Sequence, residues 1–445
     1  MLVRGSNKNA MANEQFKFSN EWGKVRDLVF QVLDLDLIDQ FKKEPNRVLR
    51  EIQTIIRDII NSGSAYITAD ESNVLAGMIC DEIVGYGPID SLMKDETVND
   101  ILVNGPNSIY IERAGILSKT DKFFISERQL LDIARRLVNK VGKNIDESHP
   151  LVDSRMPDGS RLNVVIPPIA IDGTSMSIRK FGNGHRTFHD LIKFGSLNEH
   201  MANFLVIAAR CRMNIIISGG TGSGKTTMLN ALSGFIGEHE RTITLEDAAE
   251  LKLQQEHVVR METKSGGEDG RGRVTMRDLL VNALRMRPDR IILGECRGEE
   301  AFEMLQAMNT GHSGSMSTLH ANTAKDALAR LESMIIMAQS ELPIVAIKRY
   351  ISSSVNFIIQ VSRLPDGQRK VMSITEIIGL ESGNIVTQDV FEFRVNDERD
   401  AYGKIQGEFV CNGLVKRSAL YESAQYYEMS DILEKLMLNA MGIES

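Results

Sequence analysis

At 445 residues the chain is too long for one ordinary hydrophobic core, and two or three domains are expected. Hydrophobic residues at 42% and charged residues at 25% are the proportions of a globular protein, which excludes wholesale disorder and a fibrous architecture. The formal charge of -8 supplies no global attraction to nucleic acid or anionic lipid, so direct nucleic-acid binding is not expected.

Residues 1 to about 20 are polar, lack the apolar stretch of a secretory signal and read as a loose tail, with Met11 an alternative start. Helical periodicity follows. Val25, Leu28, Val29, Val32 and Leu33 recur at helical spacing, and Val48, Ile52, Ile55, Ile56 and Ile59 repeat it before the breaker Asn61-Ser62-Gly63. These runs define a helical segment over 1–80. A mixed α/β domain over 81–185 is read from strand-like runs at 100–103, 108–112 and 162–166, separated by turns such as Gly85-Tyr86-Gly87-Pro88 and Pro157-Asp158-Gly159. Ser126-Glu127-Arg128-Gln129 has the form of a capping box and opens a helix with Leu130, Ile133, Ala134, Leu137 and Val141 on its apolar face. The weakly patterned stretch from Phe181 to Phe188 is the candidate linker.

From about 190 to 380, apolar strands at 214–218, 241–245, 290–293 and 314–318 alternate with helical runs, the order of a parallel sheet covered by helices. Strand-like segments at 391–395 and 407–411 and a helix from Met429 to about Asn439 complete a domain over 186–445. No run reaches the roughly 20 apolar residues that span a bilayer, so membrane contact is expected only through a partner. Cys80, Cys211, Cys296 and Cys411 never form a CxxC pair, which argues against a disulfide framework or a paired-cysteine zinc site and for a reducing cytoplasmic location.

The strongest chemical signal is Gly219-Gly220-Thr221-Gly222-Ser223-Gly224-Lys225-Thr226, a complete GxxxxGK[ST]. It lies between the strand-like Ile215-Ile216-Ile217 and a helix opening at Thr227, the order a phosphate cradle needs. Glycines let backbone N–H groups turn toward phosphates, the helix N-terminus adds positive potential, and Lys225 reaches the β and γ oxygens. Thr226 is the expected Mg²⁺ ligand.

Ile291-Ile292-Leu293-Gly294-Glu295 is a strand ending in acid, with a glycine where a generic Walker B strand carries its Mg²⁺-side aspartate. Glu295 either orients and deprotonates an attacking water or holds the metal through a water. A second carboxylate should come from Leu245-Glu246-Asp247-Ala248-Ala249-Glu250, with Glu246 the best candidate; Asp247 caps the next segment or holds Glu246, and Glu250 is solvated. In Gly311–His320 a strand-like run separates two histidines. His320 is placed to contact a γ-phosphate, whereas His312 is equally well a turn residue. Arg271, Arg273 and Arg277 form a basic cluster after Gly266-Gly267 that either lines a ring or faces water.

These four elements, in this order, resemble the secretion ATPase superfamily of type II secretion, type IV pilus and type IV secretion motors. LEDAAEL stands where that family has its Asp box, RPDRIILGE its Walker B and GHSGSMSTLHANT its His box. EIVGYGPIDSLMKDETVNDILVNGPNSIYIER, HPLVDSRMPDGSRLNVVIPP, SIRKF and NALRMRPDRIILGECRGEEA narrow the resemblance to CpaF-type ATPases of Tad (Flp) pilus systems, over roughly residues 80 to 380. The resemblance implies a RecA-like P-loop motor preceded by a PAS-like α/β domain, assembled as a homo-hexamer with ATP at the junction of the two. It implies a cytoplasmic enzyme docked on an inner-membrane platform protein and acting indirectly on pilin subunits. Arg155 and Arg161, and with less support Arg179, match the arginines that such enzymes bring to the phosphates. The tetracysteine zinc element of many extension ATPases is missing, which argues against those branches. A conjugative traffic ATPase or RecA-like DNA translocase is the alternative.

Overall fold

The computed structural model describes residues 21–33, 44–113, 116–180, 186–264, 266, 271–339, 341–400 and 403–443, in two compact units that divide between Asn183 and Gly184. The N-terminal tail, residues 181–185 of the linker and Gly267 lie outside the described residues.

In the first unit the helical periodicity forms helices over 21–32, Pro45–Asn61 and Ala69–Val84. Val25, Val29, Ile52, Ile56, Leu75 and Ile79 from the three close into one dry cluster. Buried charge pins the same junction: both oxygens of Glu82 accept from Arg26 Nε at 3.2 and 3.0 Å, and Gln129 Nε2 donates to Glu82 at 2.7 Å. Ser126 caps the helix Glu127–Asn139 through the Gln129 N–H. The reciprocal arm of the expected box lands one residue early, because Gln129 Oε1 accepts from Ile125 N at 2.6 Å while its amide holds Glu82.

The sheet of this unit contains β1 (Val98–Asn104), β2 (Ile109–Arg113), β3 (Ile116–Lys119), β4 (Leu151–Arg155), β5 (Arg161–Val165) and β6 (Ser175–Arg179) in the order β3-β2-β1-β6-β5-β4. Every neighbouring pair is antiparallel. Alternation sends Ile101, Val103, Leu162 and Ile178 into a core with Leu130 and Ile133 of the helix, and turns the opposite face outward.

The second unit is built on β7 (Ile215–Gly219), β8 (Thr242–Glu246), β9 (Val258–Glu262), β10 (Arg290–Cys296), β11 (Met316–Leu319), β12 (Phe357–Arg363), β13 (Arg369–Glu381), β14 (Asn384–Arg399) and β15 (Ile405–Cys411). Their order is β15-β14-β13-β12-β7-β11-β10-β8-β9. From β12 to β9 the neighbours run parallel, and β13 to β15 extend the sheet antiparallel. β7 is buried on both faces: Ile215 and Ile217 pack with Phe204, Leu205 and Leu229, whereas Ile216 joins Leu305 and Leu331 on the other side. With β11 between the loop-bearing β7 and β10, the order is RecA-like.

Several strand readings change. The run at 314–318 begins its strand only at Met316, because Gly314 has φ +87° and a Cβ there would meet Arg290 Nη1 at 2.6 Å. Phe391–Val395 is part of the 16-residue β14. β3, β4 and β6 of the first unit and β9, β12 and β13 of this one carry no strand reading in the sequence: β9 is an edge strand without strict alternation, and β12 and β13 take their extended form from pairing on both sides.

Candidate active site

Parallel strands deliver their C-terminal ends to one edge, and there β7, β8, β10 and β11 carry Gly219, Glu246, Glu295 and His320 together. The loop after β7 turns through Gly222 at φ +70° and Gly224 at φ +101°, conformations that an L side chain strains to adopt. Gly219 is required for a different reason: a Cβ would meet Val361 O at 2.4 Å and Ser223 Oγ at 2.5 Å. Ser223 closes the turn by donating to Gly220 O at 2.9 Å. Helix Lys225–Ser233 then starts without a side-chain cap, so its first N–H groups face the loop, with Thr226 and Thr227 half-buried on the first turn.

Lys225 is buried and donates to Gly219 O and Gly220 O, each at 3.0 Å. Burial lowers its pKa from the ordinary value, and Glu295 opposes that shift. A cation folded onto its own loop's carbonyls is one that phosphate oxygens can recruit.

Opposite the loop, Glu295 Oε1 lies 3.0 Å from His320 Nδ1, and His320 Nε2 lies 3.0 Å from Thr221 Oγ1. A carboxylate only accepts, so Nδ1 carries the proton, and in the neutral ring Nε2 accepts from the Thr221 hydroxyl. Arg297 Nη2 donates to Glu295 Oε2 at 2.7 Å, and its Nη1 is 3.4 Å from Asp247. Burial pushes the Glu295 carboxyl up, but Arg297, His320 and Lys225 outweigh it and hold the group below its ordinary value.

Glu246 reaches the same edge from β8. One oxygen accepts from the N–H groups of Glu250 and Leu251 at 2.6 and 2.8 Å; the other is buried with no hydrogen-bond partner. Burial raises its pKa, those two N–H groups working against the rise. Gly294 makes the approach possible, since a Cβ on it would sit 3.0 Å from Glu246 Cγ. The residue that departs from the usual Walker B pattern is therefore the one that admits a carboxylate from the next strand. Asp247 does not hold Glu246; it pairs with Arg297. Among the described residues no group of three or more His, Cys, Asp or Glu is built to bind a metal by itself. Thr226, Glu246 and Glu295 fit Mg²⁺ in the way that ion is ordinarily held, by few protein oxygens alongside phosphate and water.

His312 lies at the other end of β11 from His320, in the turn before the strand, where its carbonyl accepts from Ser315 Oγ at 2.7 Å. Arg277 of the basic cluster is tied to Glu303 at 2.7 Å. In the first unit Arg155 pairs in register with Arg161, and Arg161 with Arg179, which puts the three side chains on the outward face of adjacent strands; Arg179 also bonds Asp100 at 3.1 Å. Sequence reasoning missed Arg297, Arg363 and Arg369. The only signal for the last two is a turn, Leu364-Pro365-Asp366-Gly367-Gln368, flanked by arginines.

The chain is similar to known secretion and conjugal-transfer proteins. VirB11 of Bartonella henselae, a type IV secretion system protein, is 33% identical over 326 residues, covering 64% of this chain and 90% of that protein. The conjugal transfer protein TrbB of Rhizobium radiobacter is 32% identical over 303 residues, covering 66% and 88%. Among solved structures, the VirB11 ATPase of Brucella suis in complex with sulphate aligns with a TM-score of 0.36 at 27% identity, over 64% of this chain and 94% of that one. The pilus retraction motor PilT with bound ADP aligns with 0.47 at 19%, over 79% and 89%. The model of the type II/IV secretion system protein family matches residues 82–426, from the helix that carries Glu82 to the C-terminal helices. That span takes in both sheets and every residue of the constellation at the strand ends, and the chain belongs to the type II/IV secretion system protein family.

Proposed function

We propose that the chain is a hexameric, cytoplasmic motor that hydrolyses Mg²⁺-ATP to drive assembly of a Tad/Flp-type pilus through an inner-membrane platform protein, pilin being moved indirectly. The observation that carries the reading is the Thr221–His320–Glu295 chain facing Lys225, which adds a hydrolytic set to a binding loop. Among the described residues no helix is long and apolar enough to cross a membrane.

ATP would supply the scissile anhydride, and Mg²⁺, which Thr226 with Glu246 would hold, would supply neutralisation of the phosphate charge. Lys225 exchanges the carbonyls of Gly219 and Gly220 for phosphate oxygens and binds them in a partly desolvated setting, where its charge acts strongly. Glu295, kept ionised by Arg297, takes the proton of the attacking water at Oε1. His320 holds that oxygen in place and links it to Thr221 in the phosphate loop, so occupancy of the loop and aim of the base are coupled. Arg155 and Arg161 are proposed to reach the ATP of a neighbouring subunit.

The central test is Lys225→Ala. The folded variant should lose nearly all phosphate release and bind nucleotide weakly, because the phosphates lose their only lysine in the loop. Wild-type turnover would overturn the reading. The similarity to VirB11 and TrbB favours a second reading, a conjugative or DNA-translocating motor. It requires hydrolysis that single-stranded DNA stimulates in a salt-sensitive way; the pilus reading requires none.

A further inference from the structure

The active-site loop has two flanks, and the hydrolytic groups occupy only one. β11 and β10, with His320 and Glu295, lie on one side of β7; on the other lies β12, whose Val361 pairs in register with Gly219. Just beyond that pairing β12 ends on Arg363, the chain reverses, and β13 begins on Arg369 directly opposite. The reversal is built tightly: Leu364 N donates to Gln368 O at 2.7 Å and Gly367 N to Leu364 O at 2.9 Å. Asp366 further accepts from Gln368 N at 3.0 Å and Ile405 N at 2.6 Å, so the tip is anchored to the neighbouring ribbon. Two guanidinium groups are thus carried on a rigid hairpin beside the phosphate loop.

Arg369 bonds the loop at Gly222, and Arg363 stands beside the same glycine. Arg369 Nε donates to Gly222 O at 2.9 Å, and its Cδ lies 3.5 Å from where a Gly224 Cβ would be. Arg363 Nη1 lies 3.9 Å from the corresponding point on Gly222. Positive φ is what calls for glycine at both positions, and the two arginines line the outer side of the loop at ordinary contact distance from it.

We propose that Arg363 and Arg369 are nucleotide-binding residues: Arg369 holds the loop in its phosphate-accepting shape, and Arg363 contacts the α-phosphate end of the nucleotide. The proposal rests on the reading of this loop as the ATP site. Its logic is positional. Lys225, Glu295 and His320 claim the γ side, and strand order places the hairpin on the far side of β7 from them. A cation there meets a part of the ligand that ADP and ATP share. Contacts of that kind add equally to ground-state and transition-state binding, so they set affinity and leave the chemical step alone.

The experiment compares Arg363→Ala, Arg363→Lys and Arg369→Ala with wild type in equilibrium binding of ADP and of a non-hydrolysable ATP analogue, alongside kcat and KM for ATP. Arg363 is exposed, so its removal should leave the fold intact, and matched thermal melts check this. Arg363→Ala should weaken ADP and the ATP analogue alike by about tenfold or more, the scale of a charge-assisted contact, with KM rising by a similar factor and kcat changing much less. Arg363→Lys should recover part of the loss, and Arg369→Ala should weaken both ligands by destabilising the loop. Loss confined to the ATP analogue, a fall in kcat at unchanged affinity, or no effect on either ligand would overturn the proposal. If the wild-type protein binds no nucleotide, the ATP-site reading itself fails; if it binds and turns over normally while the arginine variants match it, only this inference fails.

Discussion

At the scale of single residues, the division of labour between two carboxylates follows from their surroundings. Glu295 is gripped by a guanidinium and an imidazole and held ionised, whereas Glu246 is buried, with one oxygen on backbone N–H groups and the other without a partner. Glu295→Gln should therefore keep ATP binding and slow hydrolysis by ~10²-fold or more, the cost of losing a positioned base. Glu246→Gln should impair turnover by another route, visible as a higher Mg²⁺ requirement. Gly294→Ala should mimic Glu246→Gln in milder form, since the added methyl meets Glu246 Cγ at 3.0 Å. Single-turnover hydrolysis across a Mg²⁺ titration separates these effects. Normal hydrolysis by Glu295→Gln beside a dead Glu246→Gln would reverse the two roles.

At the scale of elements, the entry of β10 into the sheet depends on one buried ion pair. Arg290 is fully buried; its Nε and Nη2 each donate to Glu240 at 2.8 Å, and Nη1 donates to Ala209 O at 2.8 Å. Burial raises the Glu240 carboxyl, but Arg290 and Arg212 outweigh that and hold it below the ordinary 4.5. A folded-state value below the unfolded one means that this stabilisation is complete above about the ordinary value and is lost as pH falls through the folded one. Glu240→Gln leaves Arg290 buried without its counter-charge and should cost about 3 kcal/mol or more at pH 7. Denaturant unfolding at pH 7 and pH 4 should show the gap to wild type narrowing in acid; a constant gap would remove Glu240 as the source.

At the scale of the whole molecule, the proposed role of the three arginines that lie in register on β4, β5 and β6 can be tested in mixed assemblies. If Arg161 serves a neighbour's ATP, Arg161→Ala and Glu295→Gln should each be nearly inactive alone, since a guanidinium supplied in trans is worth ~10³ or more in other NTPases. Mixed rings should regain part of the activity, because a junction joining the intact Glu295 of one variant to the intact Arg161 of the other is complete. Native mass spectrometry would confirm co-assembly and phosphate release would read the recovery. Verified mixed rings without recovery count against action in trans, and a fully active monomer would end the ring reading.

The sequence by itself determined what a continuous stretch can carry. Gly219–Thr226 was legible because its glycine positions, lysine and flanking strand and helix are local, and the backbone turns they impose depend on no distant partner. The helices over 21–32 and 45–61 were legible for the same reason, their burial being written in their own spacing. Only the tertiary structure decided which side chains share the loop. The letters favour His320 but leave His312 open, and it is β11 that carries the two to opposite ends of the strand. Gly294 reads as a missing acid with Glu246 as its candidate replacement, and only the pairing of β8 with β10 shows that the bare glycine admits that side chain. Arg363 and Arg369 flank an ordinary turn until β12 pairs with β7 and sets them beside Gly222. Each of these depends on strand order, which is fixed by packing both faces of one sheet and leaves no local trace in the residues it brings together.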